Sequence, residues 1–329
     1  MRFSLRLRAL FLRAVATLAL FVFGYSAPAA AYLCGDDVDG RDVPCHCGDI
    51  VVSDLVLSDD PVLSEPCPRD GLVVRVPHGS PGVTIDLAGN TLRGLGKGTG
   101  VRILSGGVGG ARIVSTGHPA LVEGFRDGIV SQASRFGLAE LIDVRIRNSA
   151  RDGLRVVGDG LLLRNIDSGG AQRDGIFVRG RGWTIEDIHA RGNGRHGLSV
   201  MGAGYTIRPG SAARSVRAEG NGGDGIRLWG SDHRLRTCRA AGNVRNGISV
   251  NGIRLDLATC EAAANGAAGI SGVATTTRFL DNQATDNLGG GIAIHGHSLL
   301  DGGGNVAVGN SGKARASNVE CRLGLEACR

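Results

Sequence analysis

Residues 221–229 read NGGDGIRLW, residues 243–251 NVRNGISVN and residues 265–273 NGAAGISGV. The three stretches start 22 residues apart, and each has an asparagine, a glycine four residues later and an isoleucine after it. The pattern extends both ways. Gly-Ile or Gly-Leu followed by strand-like residues recurs at Gly128, Gly153, Gly175, Gly197, Gly225, Gly247, Gly269 and Gly291, with steps of 25, 22, 22, 28, 22, 22 and 22. The long step returns to 22 when six residues, Pro209 to Arg214, are set aside. A fixed period in this range marks a solenoid, in which each repeat buries its apolar face only against its neighbours. Short apolar–polar alternations such as Ile248, Val250, Ile253, Leu255 and Leu257 read as strands, and no segment of the repeat keeps a helical period over three turns. The predicted fold is all-β: a right-handed parallel β-helix of roughly 22-residue coils, with neighbouring coils about 4.8 Å apart. The asparagines in register, Asn193, Asn221, Asn243, Asn265 and Asn287, are expected to stack at a tight turn and bond to backbone and to one another.

Composition agrees. Of 329 residues 55 are glycine, without the three-residue period of collagen, and 42% are hydrophobic, enough for a continuous core. Residues 1–31 carry Arg2, Arg6, Arg8 and Arg13 and no acid, then an apolar run from Ala14 to Phe23 and a small-residue stretch ending at Ala31. This is the form of an export signal, and the apolar run is short for a membrane span. Setting those residues aside leaves 33 basic against 31 acidic residues, and the only lysines are Lys97 and Lys313. That balance argues against nucleic acid as a partner. All eight cysteines lie beyond the signal, which suits an oxidising compartment, secreted or periplasmic. Cys34, Cys45, Cys47 and Cys67 are expected to staple an N-terminal cap, while Cys238 and Cys260, 22 residues apart, stack as a disulfide or a thiol pair. The domain reading is a signal peptide at 1–31, a cap at 32–70, the β-helix at 71–312 and a C-terminal cap segment at 313–329 containing Cys321 and Cys328.

The repeat resembles the pectin-lyase-like right-handed β-helix superfamily, which contains polysaccharide lyases, hydrolases and epimerases as well as noncatalytic surface proteins. One local likeness concerns residues. Polygalacturonases carry Asn-Thr-Asp-Gly, Asp-Asp, Gly-His-Gly and Arg-Ile-Lys motifs on successive coils. In the same order stand Arg151-Asp152-Gly153-Leu154, Arg173-Asp174-Gly175-Ile176, Arg195-His196-Gly197-Leu198 and Gly225-Ile226-Arg227-Leu228-Trp229. The resemblance implies acids at Asp152 and Asp174, a histidine at His196 and a substrate-binding arginine at Arg227. The Asn-Thr pair is absent, one acid of the second motif is missing, and Trp229 stands where that family has lysine. The Asp-Pro-His-Asp element of alginate epimerases has its nearest text in Ser231-Asp232-His233-Arg234, which lacks the proline and the second acid. No calcium-loop pattern or zinc-ligand spacing is present, so neither metal nor cofactor is expected.

The position before the repeat glycine reads Asp127, Asp152, Asp174, His196, Asp224, Asn246. Carboxylates on adjacent coils would be about 5 Å apart and those two coils apart about 10 Å, a range that spans both glycosidase geometries. Arg126, Arg151, Arg173 and Arg195 precede these residues, and an ion-pair ladder is the competing reading. Parity bears on the choice: in a continuous strand Asp174 would share a face with Ile176, and only a bend at the glycine turns it outward. After the glycine, Arg155, Phe177, Arg179, Met201, Arg227, Trp229 and Asn251 form an outward stripe. Arginine matches carboxylates and aromatic faces stack on sugars. A second column, Trp183, Tyr205, His233 and Leu255, reads as corner packing. The function expected is an exported protein that binds an acidic polysaccharide or cell-surface glycan. In the version that also cleaves it, as a hydrolase or lyase, Asp152 and Asp174 act as acid and base, His196 tunes them, and Arg227, Trp229, Arg179 and Asp224 bind substrate. The alternative is a noncatalytic surface or envelope solenoid.

Overall fold

A computed structural model describes residues 32–104, 109–132, 137–208 and 216–311. The expected signal peptide, the C-terminal cap segment with Cys321 and Cys328, and the additional residues Pro209 to Arg214 lie outside the described residues.

Among the described residues the chain is a right-handed parallel β-helix with two sheets, of 12 and 16 strands. The first sheet runs from Leu33–Cys34 to Ile292–His297, and the second spans Leu55–Val56 to Val306–Val308. Pairing follows the repeat register: Ile226 pairs with Ile248, Ile248 with Ile270, and Ile270 with Ile292. Because every partner lies one coil away, like stacks on like. Leu154, Ile176, Leu198, Ile226, Ile248, Ile270 and Ile292 form one buried row. The second sheet contributes another, from Leu141, Leu163, Ile185 and Ile207 to Leu235, Leu257 and Phe279. Alternation along each strand sends the intervening residues outward.

The coil closes because it bends at three stacked positions with positive φ. One bend follows the first-sheet strand, at Gly182, Gly204, Asp232, Arg254 and Thr276. A second lies within the long second-sheet strands, at Asp143, Asn165, Asp187, Thr237 and Thr259. The third ends them, at Gly170, Gly192, Gly220, Gly242 and Ala264. A left-handed residue other than glycine costs about 1–2 kcal/mol, so ordered neighbours must hold these corners.

The third corner is held by the asparagine ladder. Asn243 Oδ1 accepts from the backbone N–H of Asn221 (3.0 Å) and from Asn221 Nδ2 (2.9 Å), while Asn243 Nδ2 donates to Ala218 O and Asn265 Oδ1, each at 3.0 Å. The same set repeats from Asn193 to Asn310. A shorter ladder joins Asn282 to Asn305 at the second corner. The ladder also explains the repeat glycine. A Cβ on Gly225 would lie 2.6 Å from Asn243 Nδ2, 2.8 Å from Gly247 O and 3.0 Å from Ala240 Cβ. For the same reason the opposing row narrows to Ala190, Ala218, Ala240, Ala262 and Ala284.

Cys34–Cys45 and Cys47–Cys67 are disulfides in the segment expected as a cap, and Cys238–Cys260 bridges adjacent coils with its Cα atoms 4.5 Å apart. The segment also carries strands of the first sheet, since Leu33–Cys34 pairs with Ile50–Val51 and that strand with Val73–Val74. Trp183, Tyr205, His233 and Leu255 are buried at the first corner. Ring centroids there are 5.5 Å apart for Trp183 and Tyr205 and 5.2 Å for Tyr205 and His233. This column packs and is not presented to solvent.

Candidate functional site

The residues before the repeat glycine form a ladder of side-chain acceptors for backbone donors. Asp152 Oδ1 accepts from the N–H of Asp174 (3.3 Å), Asp174 Oδ1 from that of His196 (3.2 Å), His196 Nδ1 from that of Asp224 (3.1 Å) and Asp224 Oδ1 from that of Asn246 (3.1 Å). The side chains therefore point along the solenoid to the next coil, neither into the apolar core nor straight out. Arginines flank them: Arg155 Nη1 is 3.4 Å and Arg173 Nε 3.7 Å from Asp152, and Arg195 Nε is 3.8 Å from Asp174. Asp152 is 1% exposed and Asp174 4%.

Two coils further on, the ladder opens into a cleft of about 440 Å³. Its floor is His196 and Asp224, and its walls are Arg195, Arg227, Trp229, Arg245, Asn246 and Ser249. Trp229 is 37% exposed, and the Arg227 guanidinium carbon lies 4.0 Å from its ring centroid. Such a cation–π pair holds the guanidinium flat while leaving its edge to a ligand. Ser199 and Ser249 are the strand neighbours of Arg227, and these short side chains leave it room.

His196 is neutral here. Burial, together with Arg227 and Arg195, depresses its proton affinity below the ordinary imidazole value, against the opposing pull of Asp174 and Asp224. Because Nδ1 accepts the Asp224 N–H, the ring proton resides on Nε2, 3.4 Å from Arg227 Nη1. His196 is thus a donor toward the cleft.

Of the residues singled out in the sequence, the structure brings His196, Asp224, Arg227 and Trp229 together. Asp152 and Asp174 lie on the preceding coils and do not line the cleft. Arg179 is exposed on the Trp229 column, with Met201 between them. Asp232 of the epimerase-like text faces solvent and pairs with Arg254 at 2.7 Å, while His233 is buried in the aromatic column. Arg245 and Asn246 were missed as wall residues, although Arg245 occupies the register of Arg126, Arg151, Arg173 and Arg195 and was readable there. Among the described residues no cluster of histidine, cysteine and acid is arranged to hold a metal ion.

Residues 174–319 match the family model of the right-handed β-helix region. No curated protein matches the chain. Two solved structures are similar to it, both A-modules of mannuronan C-5 epimerases from Azotobacter vinelandii. The AlgE4 A-module is 17% identical with a TM-score of 0.45, over 79% of this chain and 72% of that one. The AlgE6 A-module is 16% identical with a TM-score of 0.43, over 80% and 75%.

Proposed function

We propose that the protein is an exported β-helix that recognises an acidic polysaccharide in the cleft around His196 and Trp229, without cleaving it. The observation that carries this reading is the exposed Trp229 with Arg227 laid on its face, between Arg195 and Arg245 and above the His196 Nε2 donor. An aromatic face takes the apolar side of a sugar ring, the guanidinium groups take its carboxylate, and Asp224 with Asn246 and Ser249 take hydroxyls. Recognition is favoured over hydrolysis because glycosidases need two carboxyl groups on either side of the bond, and Asp224 is the one acid lining this cleft among the described residues. In this reading Asp152 and Asp174 shape the turn beneath it. Export is supported by the arginine-led apolar N-terminus and by three disulfides; residues 1–31 are taken as the signal and 32–70 as the cap.

The test is titration calorimetry of the purified protein with polygalacturonate, alginate and a neutral glucan, with reducing ends and unsaturated products followed in parallel. The reading expects saturable binding of the uronates alone, lost in Trp229→Ala and Arg227→Gln, and no product. Product formation abolished by Asp152→Asn or Asp174→Asn would replace it with the hydrolase reading. Equal binding of the neutral glucan would remove the role given to the arginines.

A further inference from the structure

The outward face of the second sheet is mostly a mosaic of matched charges. Arg112 pairs with Glu140 and Arg164 with Glu186, while Arg236 pairs with Asp256 and Arg239 with Glu261. The matching fails at one place. Arg145, Asp167, His189 and Arg217 stack in register on four successive coils. Arg145 is exposed and makes no ion pair among the described residues. One oxygen of Asp167 is held by Arg147 and by Arg191, the latter at 3.6 Å, but its Oδ1 is sealed from solvent with no hydrogen-bond partner. His189 Nε2 is sealed and unpartnered as well. The His189 ring sits 3.9 Å from Asp167 and 3.6 Å from Glu219, too far for hydrogen bonds to either. These groups surround a hollow of about 250 Å³ whose wall includes the buried Asp187. Buried polar atoms without partners are uncommon and call for an explanation. Here a donor, an acceptor and an unmatched cation line the same small hollow.

We propose that this hollow is a second sugar site that takes one uronate unit, with its carboxylate on Arg145 and its hydroxyls on Asp167 Oδ1 and His189 Nε2. Arg217 closes the far side. The proposal rests on the reading above that the protein recognises acidic polysaccharide, and it adds a consequence. The two sites are on different sheets of one solenoid, so a single molecule can bridge two polymer strands, and apparent affinity for long chains exceeds that for short ones.

The experiment is hydrogen exchange of the intact protein with and without tetragalacturonate, joined to calorimetric stoichiometry. The expected result is protection in Ile226–Ser231 and, separately, in Leu138–Arg147, Leu162–Gly169 and Thr184–Arg191, with two tetramers bound. Arg145→Gln, a change at an exposed side chain, abolishes only the second-sheet protection and weakens that site by at least about tenfold. Trp229→Ala abolishes only the protection in Ile226–Ser231. Protection confined to Ile226–Ser231 with one tetramer bound overturns the second site and leaves the first reading standing. Protection confined to the second sheet does the reverse. Second-sheet protection unchanged by Arg145→Gln overturns the assignment of the carboxylate.

Discussion

Replacing Asn243 by alanine tests the most repetitive element of the fold. The substitution removes one acceptor and two donated hydrogens in the middle of the ladder. Asn221 loses the partner of its backbone N–H and of its Nδ2, and the Ala218 carbonyl loses its donor. Asn265 Oδ1 still accepts from the backbone N–H of residue 243 at 3.1 Å, so it is not orphaned. Three polar groups are therefore left without these partners, in a place where Asn221 and Asn243 are at most 1% exposed. At about 1–3 kcal/mol for each buried group left unsatisfied, with some relaxation, the loss should be about 3–6 kcal/mol. That is a large share of the about 5–15 kcal/mol that keeps a typical domain folded. Guanidinium unfolding followed by far-ultraviolet circular dichroism measures it, with Arg245→Ala, an exposed neighbour, as a control expected within about 0.5 kcal/mol of the parent. Asn221→Ala and Asn265→Ala should fall in the same range, since their bonds repeat those of Asn243. A loss below about 1 kcal/mol for Asn243→Ala would mean that strand pairing alone sets the turn, and the role given to the ladder would be wrong.

Gly225→Ala should also destabilise, by about 1–3 kcal/mol, because its Cβ would press on Asn243 and the Gly247 carbonyl; thermal unfolding of the variant reads this, and a wild-type midpoint would contradict the packing argument. His233 and His196 both have proton affinity lowered by burial. The unfolded chain takes up these protons first, so stability should be at its full value above about pH 6.5 and fall below it, by up to about 1.4 kcal/mol per pH unit for each group. His233→Phe should reduce the slope of stability against pH between about 6.5 and 5, measured by denaturant midpoints at each pH. Reducing Cys238–Cys260, which closes a separation of 22 residues, should cost about 3 kcal/mol on the chain-entropy account; a Cys238→Ala/Cys260→Ala double variant compared with the parent gives the value.

The repeat made most of the architecture legible. Stacked Gly-Ile pairs at 22 residues dictate which residues lie one above another, and the asparagines in the same register declare the turn. Other features left no such trace. The short ladder of Asn282 and Asn305 has two rungs, too few to stand out as a repeat. The corners at Arg254, Ala264 and Thr276 use residue types that do not favour positive φ, and only the stack imposes it. The direction of Asp152 and Asp174 depended on the bend at the following glycine. Parity along a strand could not supply it, because the residues there belong to a turn whose backbone donors draw the carboxylates lengthwise. The cleft was half readable, since His196, Asp224, Arg227 and Trp229 carried chemical character. The second-sheet hollow was not, because Arg145, Asp167, His189 and Arg217 are ordinary charges until the register sets them side by side.

Register has one more consequence. Each coil is bonded only to the coils beside it, and every rung recurs after a whole turn, so the chain counts in units of one coil. Excising residues 269–290 would join Ala268 to Gly291 and bring Ile292 beneath Ile248, where Ile270 had been. Excising one residue fewer would put every later side chain on the wrong face. Length in this protein is therefore a digital quantity. Coils can be added or removed between two surface sites as marks on a ruler, each moving them by about 4.8 Å while leaving the chemistry of both untouched.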